Sequence, residues 1–213
     1  MLYTEKSMEQ ALKKGTFTLR PGDVLTPSAR DLLRKQGIEP VAEKPEHLTH
    51  LHPGELVPKT HPRIAYRGKL DSLQGEILLA MKDPGAPTEA LEEILAFCRD
   101  LMRCDVLGEP VPEMILHGMT EAELRHRSHN PEKYYGTPHI LPHKGDSLAL
   151  LRLNYLRTQV RETELMSYTA FPERMDLHRA LNRLSSLFWI LCLEERDKNG
   201  KGGPVWTGLQ KRS

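Results

Sequence analysis

From residue 146 to residue 196 the apolar side chains recur at helical spacing, and the pattern breaks once, at Phe171-Pro172. Leu150, Leu153, Leu156 and Val160 form one stripe; Leu177, Leu181, Leu184, Phe188 and Leu191 form the next. Steps of three and four put such side chains on one face of an α-helix. Two long helices with so short a join lie antiparallel. Asp146 is the expected cap of the first, which runs through Ala170, and the second is expected over residues 173–196. Upstream, a helix is predicted over 62–81 with Leu70, Leu73 and Ile77 on one face. Another is predicted over 88–106, carrying Leu91, Ile94, Leu95, Cys98, Leu101 and Met102 and stopped by Gly108 and Pro110. Thr120-Glu121-Ala122-Glu123 is a capping box that opens a shorter helix. The expected fold is mainly α, an antiparallel bundle of four or five helices.

The start of the chain reads differently. Residues 16–20 (TFTLR) alternate like a short strand and precede the turn signal Pro21-Gly22-Asp23. Thr26-Pro27 then opens a short helix, with Thr26 as N-cap and Gly37 just past its end. Residues 1–45 are therefore a small α+β appendage. Residues 45–60, with prolines and histidines that follow no period, read as a connector, and 129–144, rich in Pro, Gly, His and Tyr, as a loop. The expected organisation is an appendage at 1–45, a helical-bundle domain at 46–197 and a flexible tail at 198–213.

Composition narrows the partners. Lys and Arg number 30 against 29 Asp and Glu, so the net charge is +1; a phosphate backbone calls for a clear basic excess, and nucleic acid is not an expected partner. The apolar runs are shorter than a membrane span, and the polar opening residues do not read as a secretory signal. Three cysteines, Cys98, Cys104 and Cys192, without tight spacing suit a reducing cytoplasm. His47, His50 and His52 lie close in sequence but lack cysteine or carboxylate partners at set spacing, so no structural zinc is expected.

Three groups of polar residues could carry chemistry. Asn154, Arg157, Arg161 and Glu164 share one face of the first long helix, since they fall at i, i+3, i+7 and i+10. Two guanidiniums on consecutive turns can clamp a polyphosphate, although the same spacing describes an ordinary solvated face. Asn182 and Ser185 lie beside the apolar stripe of the last helix, with Trp189. Lys59-Thr60-His61-Pro62-Arg63, followed by Gly68 and Asp71, forms the third group.

Taken in order, these segments resemble one family. Residues 57–77 (VPKTHPRIAYRGKLDSLQGEI) are similar to the segment of propanediol-utilisation type ATP:cobalamin adenosyltransferases that places Lys, Arg, Gly and Asp as Lys59, Arg63, Gly68 and Asp71 stand here. The loop Ile140-Leu141-Pro142-His143-Lys144-Gly145, the helix residues Arg157, Arg161 and Glu164, and the run Leu181-Asn182-Arg183-Leu184-Ser185 match later motifs of that family. The segments LRPGDVLTPSARDLLRKQGI, VPKTHPRI and SHNPEKYYGTPH resemble its ethanolamine-utilisation subgroup. Three departures stand out. A Gly- and Thr-rich phosphate loop is missing; Leu73, Gln74 and Ile77 stand where some ethanolamine-type enzymes carry metal-binding cysteines; and His139 occupies an aromatic position.

The resemblance implies transfer of the 5′-deoxyadenosyl group of ATP to cobalt(I) of cobalamin, with triphosphate leaving. Lys59, Arg63 and Arg161 would bind the triphosphate together with Mg²⁺, and Glu164 and Asn182 would orient ATP, the Mg²⁺ near Glu164. Asp71 would pair with Arg157 beside the corrinoid. Tyr134, Tyr135 and His139 are further corrinoid candidates, and His126 and His129 weaker ones. The protein binds no metal of its own in this reading. It implies a homotrimer with sites between subunits, a reductase as partner, and a cytoplasmic location associated with a bacterial microcompartment. The alternatives are a corrinoid or ATP carrier or sensor without turnover, and a microcompartment scaffold that binds no ATP.

Overall fold

The structure is a computed structural model, and it describes residues 1–13, 19, 23–38 and 45–198. Two compact units divide the chain, Met1–Lys59 and Thr60–Ser213.

In the first unit, β1 (Leu2–Tyr3) pairs in parallel with β2 (Val24–Leu25), in the register Leu2↔Val24 and Tyr3↔Leu25. Helix α1 (Glu5–Leu12) starts at a capping box between Thr4 and Ser7. Helix α2 (Pro27–Lys35) starts where Thr26 Oγ1 accepts the Ala29 N–H at 3.3 Å, and Gly37 beyond its end takes φ 66°. Met8, Ala29 and Leu33 form the core of this α+β unit, with Tyr3, Leu12, Leu25, Leu32 and Ile38 packed around them. Of the strand expected over 16–20, only Leu19 is among the described residues.

The expected connector over 45–60 is instead an antiparallel hairpin. Strand β3 (Leu48–His52) pairs with β4 (Glu55–Pro58) about a turn in which Gly54 has φ 83°. The first unit accordingly runs on to Lys59 rather than stopping at 45. A Pro-Gly turn between two short β-prone runs is a hairpin signal, and the register shift between His50 and His52 breaks the alternation that would have revealed it.

The second unit is the helical bundle. Helix α3 (Pro62–Ala80) begins with Pro62 at its first position, and His61 Nδ1 accepts the Arg63 N–H. Helix α4 (Thr88–Leu107) ends at Gly108, whose φ of 69° is the left-handed conformation that glycine adopts at least cost. A small hairpin follows, β5 (Ile115–Leu116) with β6 (Met119–Thr120), turning through His117 and Gly118 at φ 53° and 66°. Helix α5 (Glu121–His129) opens on the expected capping box. The expected loop over 129–144 contains one further helix, α6 (Pro131–Tyr135), ended by Gly136.

Helices α7 (Leu148–Ala170) and α8 (Met175–Lys198) complete the unit. The N-cap of α7 is Ser147, whose Oγ accepts the Leu150 N–H at 3.1 Å; Asp146, the expected cap, is engaged elsewhere. Helix α7 packs most extensively on α8 and next on α3, while α5 packs on α8 and α3 on α4. The stripes read from the sequence are the core: Leu150, Leu153, Leu156 and Val160 meet Leu177, Leu181, Leu184, Phe188 and Leu191, with Leu70, Leu73, Ile77, Leu91, Ile94, Leu95, Cys98 and Leu101 on the other side. Met102, expected with them, is only half-buried. Burial pushes the Cys98 and Cys192 thiols up to about 12, so they pack as small apolar groups. Among the described residues no helix is long and apolar enough to cross a membrane.

Candidate functional site

A cleft of about 410 Å³ opens between α7, α8, the end of α5 and the loop before α7. Helix α8 gives it Ser185, Ser186 and Trp189, α7 gives Arg157 and Arg161, α5 gives Ser128 and His129, and the loop gives His139, Ile140, Leu141 and Pro142. The α7–α8 pairing makes this possible. Each helix buries its apolar stripe against the bundle and turns the adjacent polar stripe toward the same space.

The two arginines occupy different surroundings. Arg157 is half-buried, and its Nε and Nη2 donate to Asn154 Oδ1 at 3.2 and 3.1 Å. Its guanidinium lies over the Trp189 ring, 5.6 Å from the centroid. Burial pushes this guanidinium below its ordinary value, and the charge of Arg161 adds to that effect. Arg161 is exposed. His139 stacks on Trp189 with centroids 5.5 Å apart and planes at 27°. The indole therefore lies within reach of both an imidazole and a guanidinium, and the wall they form suits a flat, partly apolar ligand.

A polar chain continues along the same helices. Asn182 Nδ2 donates to Glu164 Oε1 at 3.0 Å, and Asn182 Oδ1 accepts from Arg183 Nη2 at 2.5 Å. Arg183 is buried, which presses its guanidinium below the ordinary value, and Arg125 nearby presses it further. Ser185 and Ser186 return their hydroxyls to the Asn182 carbonyl at 2.8 and 3.3 Å. Asn182 and Glu164, assigned separately from the sequence, are thus direct partners.

Of the other expected residues in the second unit, only His129 is among those that line the cleft. Arg63 donates from Nε and Nη2 to Asp105 Oδ1 at 2.9 and 2.6 Å, and from Nη2 to the Asp105 carbonyl at 2.9 Å. Arg67 also bonds the Asp105 carboxylate, which is wholly buried, and Phe171 lies under the Arg63 guanidinium at 5.2 Å. Asp71, on α3, is exposed and has no hydrogen bond or ion pair with a described residue, so within one chain it is not joined to Arg157. Tyr134 is exposed and surrounded by His126, Arg127 and Lys133 at 5.6, 5.4 and 5.2 Å. Tyr135 packs against the core, and burial raises its phenol. Of the two weaker histidine candidates, His129 lines the cleft and His126 does not. Lys59 belongs to the first unit, where it is exposed and its backbone N–H donates to the His47 carbonyl. Among the described residues no three His, Cys, Asp or Glu gather as a metal site.

Comparison with known proteins bears on this arrangement. The family model described as cobalamin adenosyltransferase matches residues 41–195. The corrinoid adenosyltransferase EutT of Escherichia coli is 35% identical over 164 residues, covering 73% of this chain, and that of Salmonella typhimurium is 34% identical over the same length. The chain spans 61% of the length of these relatives. Among solved structures, a variant PduO-type ATP:corrinoid adenosyltransferase from Lactobacillus reuteri, complexed with cobalamin and ATP, shares the fold with a TM-score of 0.59 at 16% identity, over 76% of this chain and 96% of that one. A second variant of that type, complexed with ATP, gives 0.58 at 19% identity and the same coverage. The family match extends from the first unit through nearly all of α8 and takes in every residue of the cleft, and on that ground the chain belongs to the cobalamin adenosyltransferase family.

Proposed function

We propose that this chain transfers the 5′-deoxyadenosyl group of ATP to the cobalt of cob(I)alamin, in support of ethanolamine utilisation. The observation that carries the reading is the cleft itself, where an aromatic wall of His139 and Trp189 meets two guanidiniums on successive turns of α7. In the reaction the cobalt(I) electron pair forms a Co–C5′ bond, the C5′–O bond breaks, and triphosphate departs with the electron pair of that C–O bond. The protein positions the two substrates and stabilises the leaving charge.

Arg161 is the exposed cation of the cleft and serves the triphosphate. Arg63 and Lys59 serve it as well, Arg63 from a cluster in which it and Arg67 share the Asp105 carboxylate. Glu164 and Asn182 act as a bonded pair that orients ATP. Mg²⁺ fits there: a hard cation on a nucleotide takes one or two carboxylates besides phosphate and water, and Asn182 occupies only Oε1 of Glu164. His139, Arg157, Tyr134 and Tyr135 serve the corrinoid.

Asp71 joins Arg157 across a subunit boundary in a homotrimer. The exposure of Asp71 and the absence of a described partner for it support that placement. A reductase supplies cobalt(I), and the enzyme works in the cytoplasm, in association with a microcompartment. The test is to give the protein chemically reduced cobalamin, ATP and Mg²⁺ and record the absorption spectrum. Appearance of adenosylcobalamin with one triphosphate per turnover is expected. Binding of both substrates without conversion would return the chain to the carrier reading.

A further inference from the structure

The loop over residues 136–147 gives the cleft four of the eleven residues that line it, and bonds from α8 help to hold it. Arg196, near the end of α8, has a side chain 4% exposed, and the Asp146 carboxylate is 5% exposed. Arg196 Nη2 donates to both Asp146 oxygens at 2.9 and 2.8 Å and to the Leu141 carbonyl at 3.3 Å. Asp146 Oδ2 also accepts the His143 N–H at 2.8 Å, and His143 Nδ1 accepts the Gly145 N–H at 2.9 Å. Next to this clamp, Ser147 Oγ donates to Glu195 Oε1 at 2.8 Å. Loop positions 141, 143, 146 and 147 are all tied, directly or through Asp146, to the last turns of one helix.

The place of Arg196 on α8 gives these bonds a use. Trp189 and Arg196 are seven residues apart, two turns along the same face. One stripe of α8 therefore carries both the indole on which His139 stacks and the guanidinium that fixes Leu141, two residues further along the loop. A buried ion pair gains little stability, because desolvation offsets most of the attraction and apolar side chains can do as well. What it supplies here is register: the loop is held at one height over Trp189.

We infer that Arg196 and Asp146 are positioning residues for the corrinoid side of the cleft, holding the loop so that His139 lies against Trp189. Neither touches substrate. The assignment to the corrinoid side rests on the adenosyltransferase reading; the holding of the loop does not.

The test uses the full chain in a Trp206→Phe background, so that Trp189 is the only tryptophan. Arg196→Met with Asp146→Leu removes both charges of the pair at once, and Arg196→Lys keeps the charge but cannot reproduce the planar, forked donor geometry. Tryptophan emission and the KM values for cob(I)alamin and ATP are measured for each, with His139→Ala as the reference for a lost stack. The emission of the double variant should match that of His139→Ala. Its KM for cob(I)alamin should rise roughly 10- to 100-fold, the scale of a misplaced binding group, while its KM for ATP stays within about twofold. Arg196→Lys should fall between wild type and the double variant; if the double variant does not fold, the same shifts in Arg196→Lys decide. Wild-type emission and wild-type KM for cob(I)alamin would overturn the inference, as would an equal rise in both KM values. If the wild-type protein forms no adenosylcobalamin, the functional reading fails alone, and emission still decides whether the pair holds the loop.

Discussion

Arg157 and Arg161 stand on one helix face in different surroundings, which suits the proposed division of that face between two substrates. They are one turn apart, yet Arg157 is half-buried, tied to Asn154 and set over Trp189, whereas Arg161 is exposed. A guanidinium already held by the protein is fitted to shape a site, and an exposed one is fitted to take up the charge of a polyphosphate. Arg161→Ala should therefore raise the KM for ATP with little change for cobalamin, by the roughly 1.5–3 kcal/mol of a hydrogen bond to a charged group. Steady-state kinetics with each substrate varied in turn checks this, and equal changes in both KM values would contradict the division. The two arginines were legible in the sequence because spacing alone puts them on one face. The partner of Arg63 was not, since Asp105 lies 42 residues away. A signal did exist: Asp105 continues the apolar stripe of Ile94, Cys98 and Leu101 on α4. A carboxylate in such a stripe is buried, and a buried charge needs an opposite one.

At the scale of elements, stripes were readable, and so were the caps apart from that of α7, where Ser147 and not Asp146 holds the position; short hairpins were not. The box at Thr120–Glu123 and the stop at Gly108 each depend on a few adjacent residues, so the local sequence suffices. The hairpin of β5 and β6 depends on contacts far along the chain. Its turn residue His117 donates its N–H to Glu93 on α4 at 2.6 Å, and His117 Nε2 meets Glu194 on α8 at 3.1 Å. The hydrogen bond to Glu194 raises the imidazole above its ordinary value against the opposing effect of burial; Glu194 and Glu93 add to the rise by their charge, and Lys198 opposes it. Because the folded value is the higher one, this group's contribution to stability is full below the ordinary 6.5 and is lost as pH rises through the raised value. His117→Asn tolerates the left-handed backbone and removes the titration. Thermal unfolding should show the wild type ahead of this variant in mildly acid buffer and the advantage shrinking as pH rises. An advantage that is constant with pH would mean the pair is not ionised.

The whole molecule raises a question that one chain leaves to assembly. Helix α3 carries an exposed Asp71, and Arg157 of the same chain is engaged by Asn154 and Trp189. If the proposed trimer places Asp71 of each subunit against Arg157 of the next, the two substitutions damage opposite sides of the same interface. Asp71→Asn and Arg157→Ala should each lose activity as pure proteins. Unfolded together in equal amounts and refolded, they should regain it in part, because some interfaces then pair an intact Asp71 with an intact Arg157. In a closed ring with random mixing, each side of an interface is intact half the time, so about a quarter of wild-type activity should return. A pairing within one subunit predicts no recovery, since every chain carries one lesion of the pair. Light scattering on the same mixtures separates a failure to assemble from a failure to complement, and a trimer that regains nothing would remove Asp71 from the site while leaving the cleft of α7 and α8 intact.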